Sequence, residues 1–368
     1  MVESLVELAR FESPSLDAEA QMPVLNLLAR WLNELDFKVR LLPSPRCGGH
    51  LLARPTRRKR GPAQLLVGHC DTVWPRGTLR SMPVVQSEGE LHGPGVYDMK
   101  GGLVQVVFAL RALRHFGCVA ALDPYLLINS DEEVGSFESA RWIHRLAPLM
   151  ARSLVAEPSL GPEGRLKTSR KGVSSYTLTI TGRSAHAGLD PGAGASAILE
   201  LSYLIQELHQ LNDARRGVSV NVGLVQGGLR ANVVAPESRA VVDVRSPSQV
   251  EWQRVDQAIR NLRTTIPGVS LQVEGRSGRP PLEPNERNQK LWWRAQQLGL
   301  ELGLNLDQGL AGGGSDGSFT SLYCPTLDGL GPVGGGAHAH DEFVSIASLP
   351  ERSALLALLL MEPGEIDP

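Results

Sequence analysis

Tyr176-Thr177-Leu178-Thr179-Ile180-Thr181 alternates apolar and hydroxyl side chains without a break, the period-two pattern of a strand with one buried and one wet face. The sequence before it reads differently. Short, continuous apolar runs lie at 64–68, 125–129 and 153–156, as expected of strands buried on both faces. Between the first two, Leu103, Val106, Val107, Leu110 and Leu113 recur at helical spacing until Gly117 provides a stop. The alternating stretch therefore marks a change of domain.

Downstream of it, residues 193–211 read as a helix, 218–225 and 239–244 alternate again, Val255, Ile259, Leu262 and Ile266 trace a second helical face, and 269–273 closes the series. The order is β-α-β-β-α-β, the split ferredoxin-like unit, and it predicts an inserted domain over residues 171–278. Beyond it, 291–303 and 349–361 read as helices and 312–316 as a glycine-rich turn. These segments lack a core of their own and complete the first domain, which then spans 1–170 and 279–368. The expected fold is α/β: a discontinuous domain with a mixed sheet between helices, carrying the insert.

Bulk properties narrow the function. The chain has 368 residues, 42% of them hydrophobic, enough for two cored domains. Lys and Arg number 37 against 39 Asp and Glu, so no global field draws nucleic acid or an anionic membrane. The run Arg57-Arg58-Lys59-Arg60 reads as a solvated loop. Cys47, Cys70, Cys118 and Cys324 lie far apart, without disulfide density or a CxxC pair. The acid-bearing start, MVESLVELARFESPS, reads as a short amphipathic helix rather than a leader, and no apolar stretch approaches membrane-spanning length. A soluble, cytoplasmic protein is expected.

The chemistry-bearing residues are His69-Cys70-Asp71, Asp98, Asp131-Glu132-Glu133, Glu157 and His338-Ala339-His340-Asp341-Glu342. His69, Asp71, Glu132, Glu133 and Glu157 follow the ends of expected strands, where open α/β sheets gather ligands. Imidazoles with carboxylates suit zinc, cobalt or manganese. Asp98 sits among glycines that permit a tight turn able to offer one carboxylate to two metals. Each residue also has a bland reading, as a hydrogen-bonded histidine, a solvated helix start or a plain loop. Spacing alone leaves a dinuclear site and a set of unrelated structural residues both open.

Seven segments, GHCDTV (68–73), GPGVYDMKGG (93–102), SDEEVGS (130–136), AEPS (156–159), SAHAG (184–188), GGGSDG (312–317) and HAHDEF (338–343), occur in this order. Together they resemble the M20 metallopeptidases over nearly the whole chain, most closely the glutamate carboxypeptidase group, related to acetylornithine deacetylase and succinyl-diaminopimelate desuccinylase. The resemblance implies two Zn2+ ions per chain, with Co2+ or Mn2+ as substitutes. Asp98 would bridge them, His69 and Glu157 complete one ion, and Glu133 and His338 the other. His338 is preferred to His340 because its spacing to Glu342 matches the family. Glu132 becomes the general base and Asp71 the residue that orients His69. Cys70 is expected to point away from the metals.

By the same resemblance, His186 reaches the active site of a second subunit to stabilise an oxyanion, with Asn232 beside it, so the insert serves as a lid and makes a homodimer. Arg279 and the amides of Gly313, Gly314 and Ser315 are expected to receive the substrate carboxylate. The implied activity is hydrolysis of a peptide or N-acyl amide bond next to a free carboxylate in a small, dipeptide-like substrate. An acetylornithine-type deacylase and an inactive metal-binding homologue are the alternatives; a nucleotide-binding reading fails because no GxxxxGK[ST] occurs.

Overall fold

The computed structural model describes residues 1–59 and 61–364, with the side chains of residues 276 and 277 excepted. Arg60, in the basic run, lies outside the described residues. The chain divides into two compact units. One comprises Met1–Ser169, Glu283–Ala311 and Ser315–Pro368; the other comprises Arg170–Leu282 with Gly312–Gly314.

The first unit is built on a six-stranded sheet in the order Phe37–Leu42, His50–Pro55, Asp123–Asn129, Ala63–His69, Met150–Val155, Thr326–Leu327. The last four strands run parallel and the first two join antiparallel, so the sheet is mixed. Its centre explains the unbroken apolar runs: every residue of Ala63–His69 and Asp123–Asn129 is buried. Leu66, Leu126, Ile128 and Leu154 pack on one face with Leu103, Val107 and Leu110 of the helix Gly101–His115 and with the helices Ala18–Glu34 and Ser348–Met361. Leu65, Val67, Leu127 and Val155 pack on the other face with Ile143 and Phe319. Each such fully buried leucine or valine contributes roughly 1.5–3 kcal/mol.

The sequence pattern missed three strands of this sheet. Lys38, Arg40 and Arg54 break the apolar runs of the two antiparallel strands, and Thr326–Leu327 is only two residues long. Also missed is a small four-stranded sheet in the order Gly334–Gly335, Phe343–Ser345, Glu90–His92, Val85–Ser87.

The second unit is a four-stranded antiparallel sheet in the order Ser219–Gly227, Glu237–Ser246, Gly172–Thr181, Ser270–Arg279, with Ala197–Gln210 and Gln249–Arg260 as its helices. This is the β-α-β-β-α-β arrangement. Tyr176, Leu178 and Ile180 are buried at 0–1% exposure while their threonine neighbours face outward, which fits the alternation that first marked this unit. The first helix starts later than the pattern suggests. Ser196 accepts the Leu199 amide at 3.2 Å as an N-cap, and Pro191–Ala193 forms a separate 3-10 turn. The last strand runs on to Arg279, where the pattern stopped at 273.

Candidate metal centre

Three parallel strands deliver the first group of side chains. His69 ends Ala63–His69, the Asp131-Glu132-Glu133 turn follows Asp123–Asn129, and Glu157 follows Met150–Val155. Asp98 and His338 arrive instead on loops, the first between Glu90–His92 and the helix Gly101–His115, the second between Gly335 and Phe343. Gly102 lets the helix start abut the strand end before Glu157: a Cβ there would lie 1.9 Å from the Ala156 carbonyl oxygen. Gly95 takes φ +73°, a left-handed turn closed to most side chains, and the Asp98–Met99 peptide bond is cis.

The Asp98 carboxylate stands between two imidazoles. Its Oδ1 is 3.1 Å from His69 Nε2 and its Oδ2 is 3.5 Å from His338 Nε2. Glu157 Oε1 lies 3.4 Å from His69 Nε2, and Glu133 Oε2 lies 3.1 Å from His338 Nε2. Glu132 belongs to the same cluster, its carboxylate within 4.8 Å of donor atoms of His69 and Glu157. His338 holds φ +62°, a sparsely populated conformation for a residue with a side chain and one that concentrates at functional sites.

The electrostatics of the cluster favour positive charge. Burial by itself would lower the His69 pKa, but hydrogen bonds to Asp71, Asp98 and Glu157 outweigh it and hold the imidazole well above the ordinary 6.5. Asp98 and then Glu133 push His338 up to about 10. Burial would raise Asp98, yet the two imidazoles bring it down, whereas burial keeps Glu133 raised. Both imidazoles are thus drawn toward their charged form by the carboxylates gathered around them. The donor groups His69 with Glu132 and Glu157, and His69 with Asp98 and Glu133, are of the nitrogen and carboxylate type that fits zinc, cobalt or manganese.

The surroundings fix these donors. Asp71, fully buried, accepts the amides of Glu132 and Glu133 at 3.2 Å each and the Ser15 hydroxyl at 2.7 Å. His69 Nδ1 is 3.0 Å from the Asp71 carbonyl oxygen and 3.4 Å from its Oδ1, so backbone and side chain both face the ring nitrogen turned from Asp98. Cys70 lies in the apolar core, and burial pushes its thiol pKa up, which keeps it protonated. The His340 ring instead lies tilted against Trp74, with centroids 5.3 Å apart.

The second unit carries the remaining candidates. His186 and Asn232 are exposed and lie on paired backbone segments, with the Ala187 amide donating to the Asn232 carbonyl at 3.0 Å. His186 Nδ1 accepts the amides of Gly188 and Leu189, both at 3.1 Å, which leaves the ring proton on Nε2. Gly314 packs on the Arg279 stem, where a Cβ would come within 3.0 Å of Cδ. Arg170, not anticipated from the sequence, donates to the carbonyls of Gly313 and Gly314 at 3.1 and 3.4 Å. In the first unit, Ser315 is buried and its hydroxyl donates to Asp328.

The sequence and fold that carry this cluster have counterparts among known proteins. Residues 65–362 match the model of peptidase family M20/M25/M40. The chain belongs to that family. It is 28% identical to carboxypeptidase G2 of Pseudomonas sp. (strain RS-16), over 99% of this chain and 89% of the relative. It is 27% identical to the acetylornithine deacetylase of Proteus mirabilis (strain HI4320), over 97% and 96% respectively. Among solved structures, aminopeptidase PepT from Bacillus cereus ATCC 10987 superposes with a TM-score of 0.78 at 19% identity, covering 98% of each chain. This M20 chain is accordingly a hydrolase of the metallopeptidase and amidohydrolase type. No helix among the described residues is long and apolar enough to cross a membrane.

Proposed function

We propose that this M20 hydrolase cleaves a peptide or N-acyl amide bond adjacent to a free carboxylate, in the manner of a glutamate carboxypeptidase. The observation that carries the reading is the position of Asp98, with one carboxylate oxygen on His69 and the other on His338. His69 with Glu157 and His338 with Glu133 then form two half-sites sharing Asp98, ready for two zinc ions. When bound, such a pair of dications polarises the scissile carbonyl and makes water a stronger acid.

The chain's own residues do the rest. Glu132 takes the proton of the attacking water and returns it to the leaving amine, which a carboxylate can do only if it is left out of tight coordination. Asp71 holds His69 in one tautomer and, through its grip on two successive amides, aims Glu132 and Glu133 in different directions. Arg279 and the amides of Gly313, Gly314 and Ser315 receive the substrate carboxylate.

His186 presents its Nε2 proton to the oxyanion of a second subunit, with Asn232 beside it. A homodimer through the inserted unit is supported by one of its two edge strands, Ser219–Gly227, which leaves Leu224 65% and Val225 55% exposed, and by Ile198, Leu199 and Tyr203 of the helix Ala197–Gln210, each between 45% and 47% exposed.

The test combines metal analysis with hydrolysis of N-acyl amino acids, N-acylornithine and dipeptides, each paired with its C-terminal amide. Wild type is expected to hold near two metals per chain and to reject the amides. Glu132→Gln should retain both metals while kcat falls about 10²- to 10⁴-fold. Equal cleavage of acids and amides would sink the free-carboxylate requirement, and a chain that takes up no metal would sink the reading itself. Preference for N-acylornithine would favour the deacylase branch.

A further inference from the structure

Glu342 is 1% exposed, and its carboxylate is surrounded by donors from elsewhere in the sequence. Oε1 accepts the backbone amides of Tyr97 at 2.9 Å and Asp98 at 3.0 Å. Oε2 accepts the Gly95 amide at 2.9 Å and the Trp74 indole at 3.0 Å. The backbone of the same residue adds two links. Its carbonyl accepts the Gly93 amide at 3.2 Å, and its own amide donates to Ala339 at 3.1 Å, closing the turn that carries His338. Next to it, Phe343 and Val344 pair with His92 and Leu91, the strand that leads into the Asp98 loop.

One residue therefore ties together the two loops that deliver Asp98 and His338. Those are the two donors that no strand of the large sheet positions. A carboxylate that must address two imidazoles at once tolerates little rotation, and the Asp98 amide, one residue's backbone away from that carboxylate, is itself held by Glu342. Three amide hydrogen bonds to one carboxylate also hold the backbone at Gly95, Tyr97 and Asp98 as a set, which no single hydrogen bond does.

Resting on the dinuclear reading above, we propose that Glu342 is a positioning residue for the metal pair: by holding the amides of Gly95, Tyr97 and Asp98, it sets the Asp98 carboxylate between His69 and His338. It touches neither substrate nor metal. Its effect is on how tightly and with what symmetry the ions are held.

The alternative is that Glu342 only satisfies buried amides and so contributes to folding. Cobalt titration of the metal-free protein, followed by visible absorption, separates the two. Glu342→Gln keeps the volume but loses the charge and one acceptor oxygen. It should bind Co2+ about 10- to 100-fold more weakly than wild type and show a changed ligand-field spectrum. Trp74→Phe removes a donor to the same carboxylate while leaving the three amides in place, and should titrate as wild type does. Glu342→Asp, which keeps the charge on a shorter stem, provides the same readout if the glutamine variant does not fold, and it too should weaken binding and shift the spectrum. A folded Glu342 variant with lowered melting temperature but wild-type cobalt affinity and spectrum would overturn the proposal and leave the dinuclear reading standing. Wild type that takes up no cobalt would overturn both.

Discussion

Around Asp98, side chains from three strand ends and two loops approach one another at 3.1–3.5 Å, and His69 and Glu157 among them are buried. The inserted unit does the opposite. It keeps a well-filled core of its own, yet holds His186 and Asn232 in solvent and leaves an apolar outer strand uncovered. Burial and mutual hydrogen bonding pre-set the first region, so its chemistry can be read within one chain. In the second region the amides of Gly188 and Leu189 fix the histidine tautomer and leave an exposed ring, the group that the proposed function assigns to a second subunit.

The strongest way to break this contrast is at the shared carboxylate. Asp98→Asn removes the charge that both imidazoles address while keeping the side chain's size. Metal content should fall well below that of wild type, and kcat on the best substrate should drop on the order of 10³-fold or more, because the several kcal/mol of Lewis-acid stabilisation go with the ions. Undiminished metal binding in this variant, measured by elemental analysis, would show that Asp98 is not the bridge.

A second test addresses the inserted unit. His186→Ala should lose about 10²- to 10³-fold in kcat, the usual consequence of deleting one oxyanion donor. Mixed with Glu132→Gln and allowed to exchange subunits, it should regain about a quarter of wild-type activity, since half of the twofold dimers then carry one site with both residues intact. Leu224→Arg in both chains, placing a charge on the uncovered strand, should abolish that recovery and shift the protein to monomer in analytical ultracentrifugation. Activity in His186→Ala equal to wild type, or no recovery among demonstrably mixed dimers, would mean that the histidine does not work across subunits.

The two regions also differ in how much of them the sequence revealed. Doubly buried strands such as Ala63–His69 appear as apolar runs, and the alternation of Tyr176 to Thr181 follows directly from one-sided burial. His69, Glu133 and Glu157 stood out because each lies at or just past the end of such a strand, while their assignment as metal donors rested on likeness to a family. Glu342 was not. Its partners lie 244 to 268 residues away, and only the small sheet joining Phe343–Ser345 to Glu90–His92 brings them together. Strands of two or three residues are too short to show a period. Arg170 was hidden for a related reason: its contacts with Gly313 and Gly314 depend on a turn more than 140 residues downstream, at separations of 143 and 144. The choice of His338 over His340 came from likeness to a family, and the distances to Asp98 and Glu133 supply its geometric counterpart.

The smallest expected effect concerns a weak point behind the strand-end donors. His50 is fully buried, and among the described residues neither ring nitrogen has a hydrogen-bond partner; Asp131 Oδ1 is 3.9 Å from Nδ1. Asp131 in turn accepts the amides of Glu138 and Ser139 at 2.7 and 3.2 Å, which closes the loop that follows Glu132 and Glu133. Burial is the largest influence on His50 and lowers its pKa below the ordinary 6.5, with Asp131 pulling the other way. The unfolded chain therefore takes up this proton first as pH falls. Stability linked to His50 is intact above 6.5 and is lost as pH descends from there through the lower folded value, at no more than about 1.4 kcal/mol per pH unit for one proton. His50→Gln, which cannot titrate, should flatten the acid limb of the melting-temperature profile of the metal-free protein relative to wild type. Parallel limbs would show that His50 is accommodated in its protonated form, and the pocket behind the Glu132 turn would then tolerate a charge that its burial argues against.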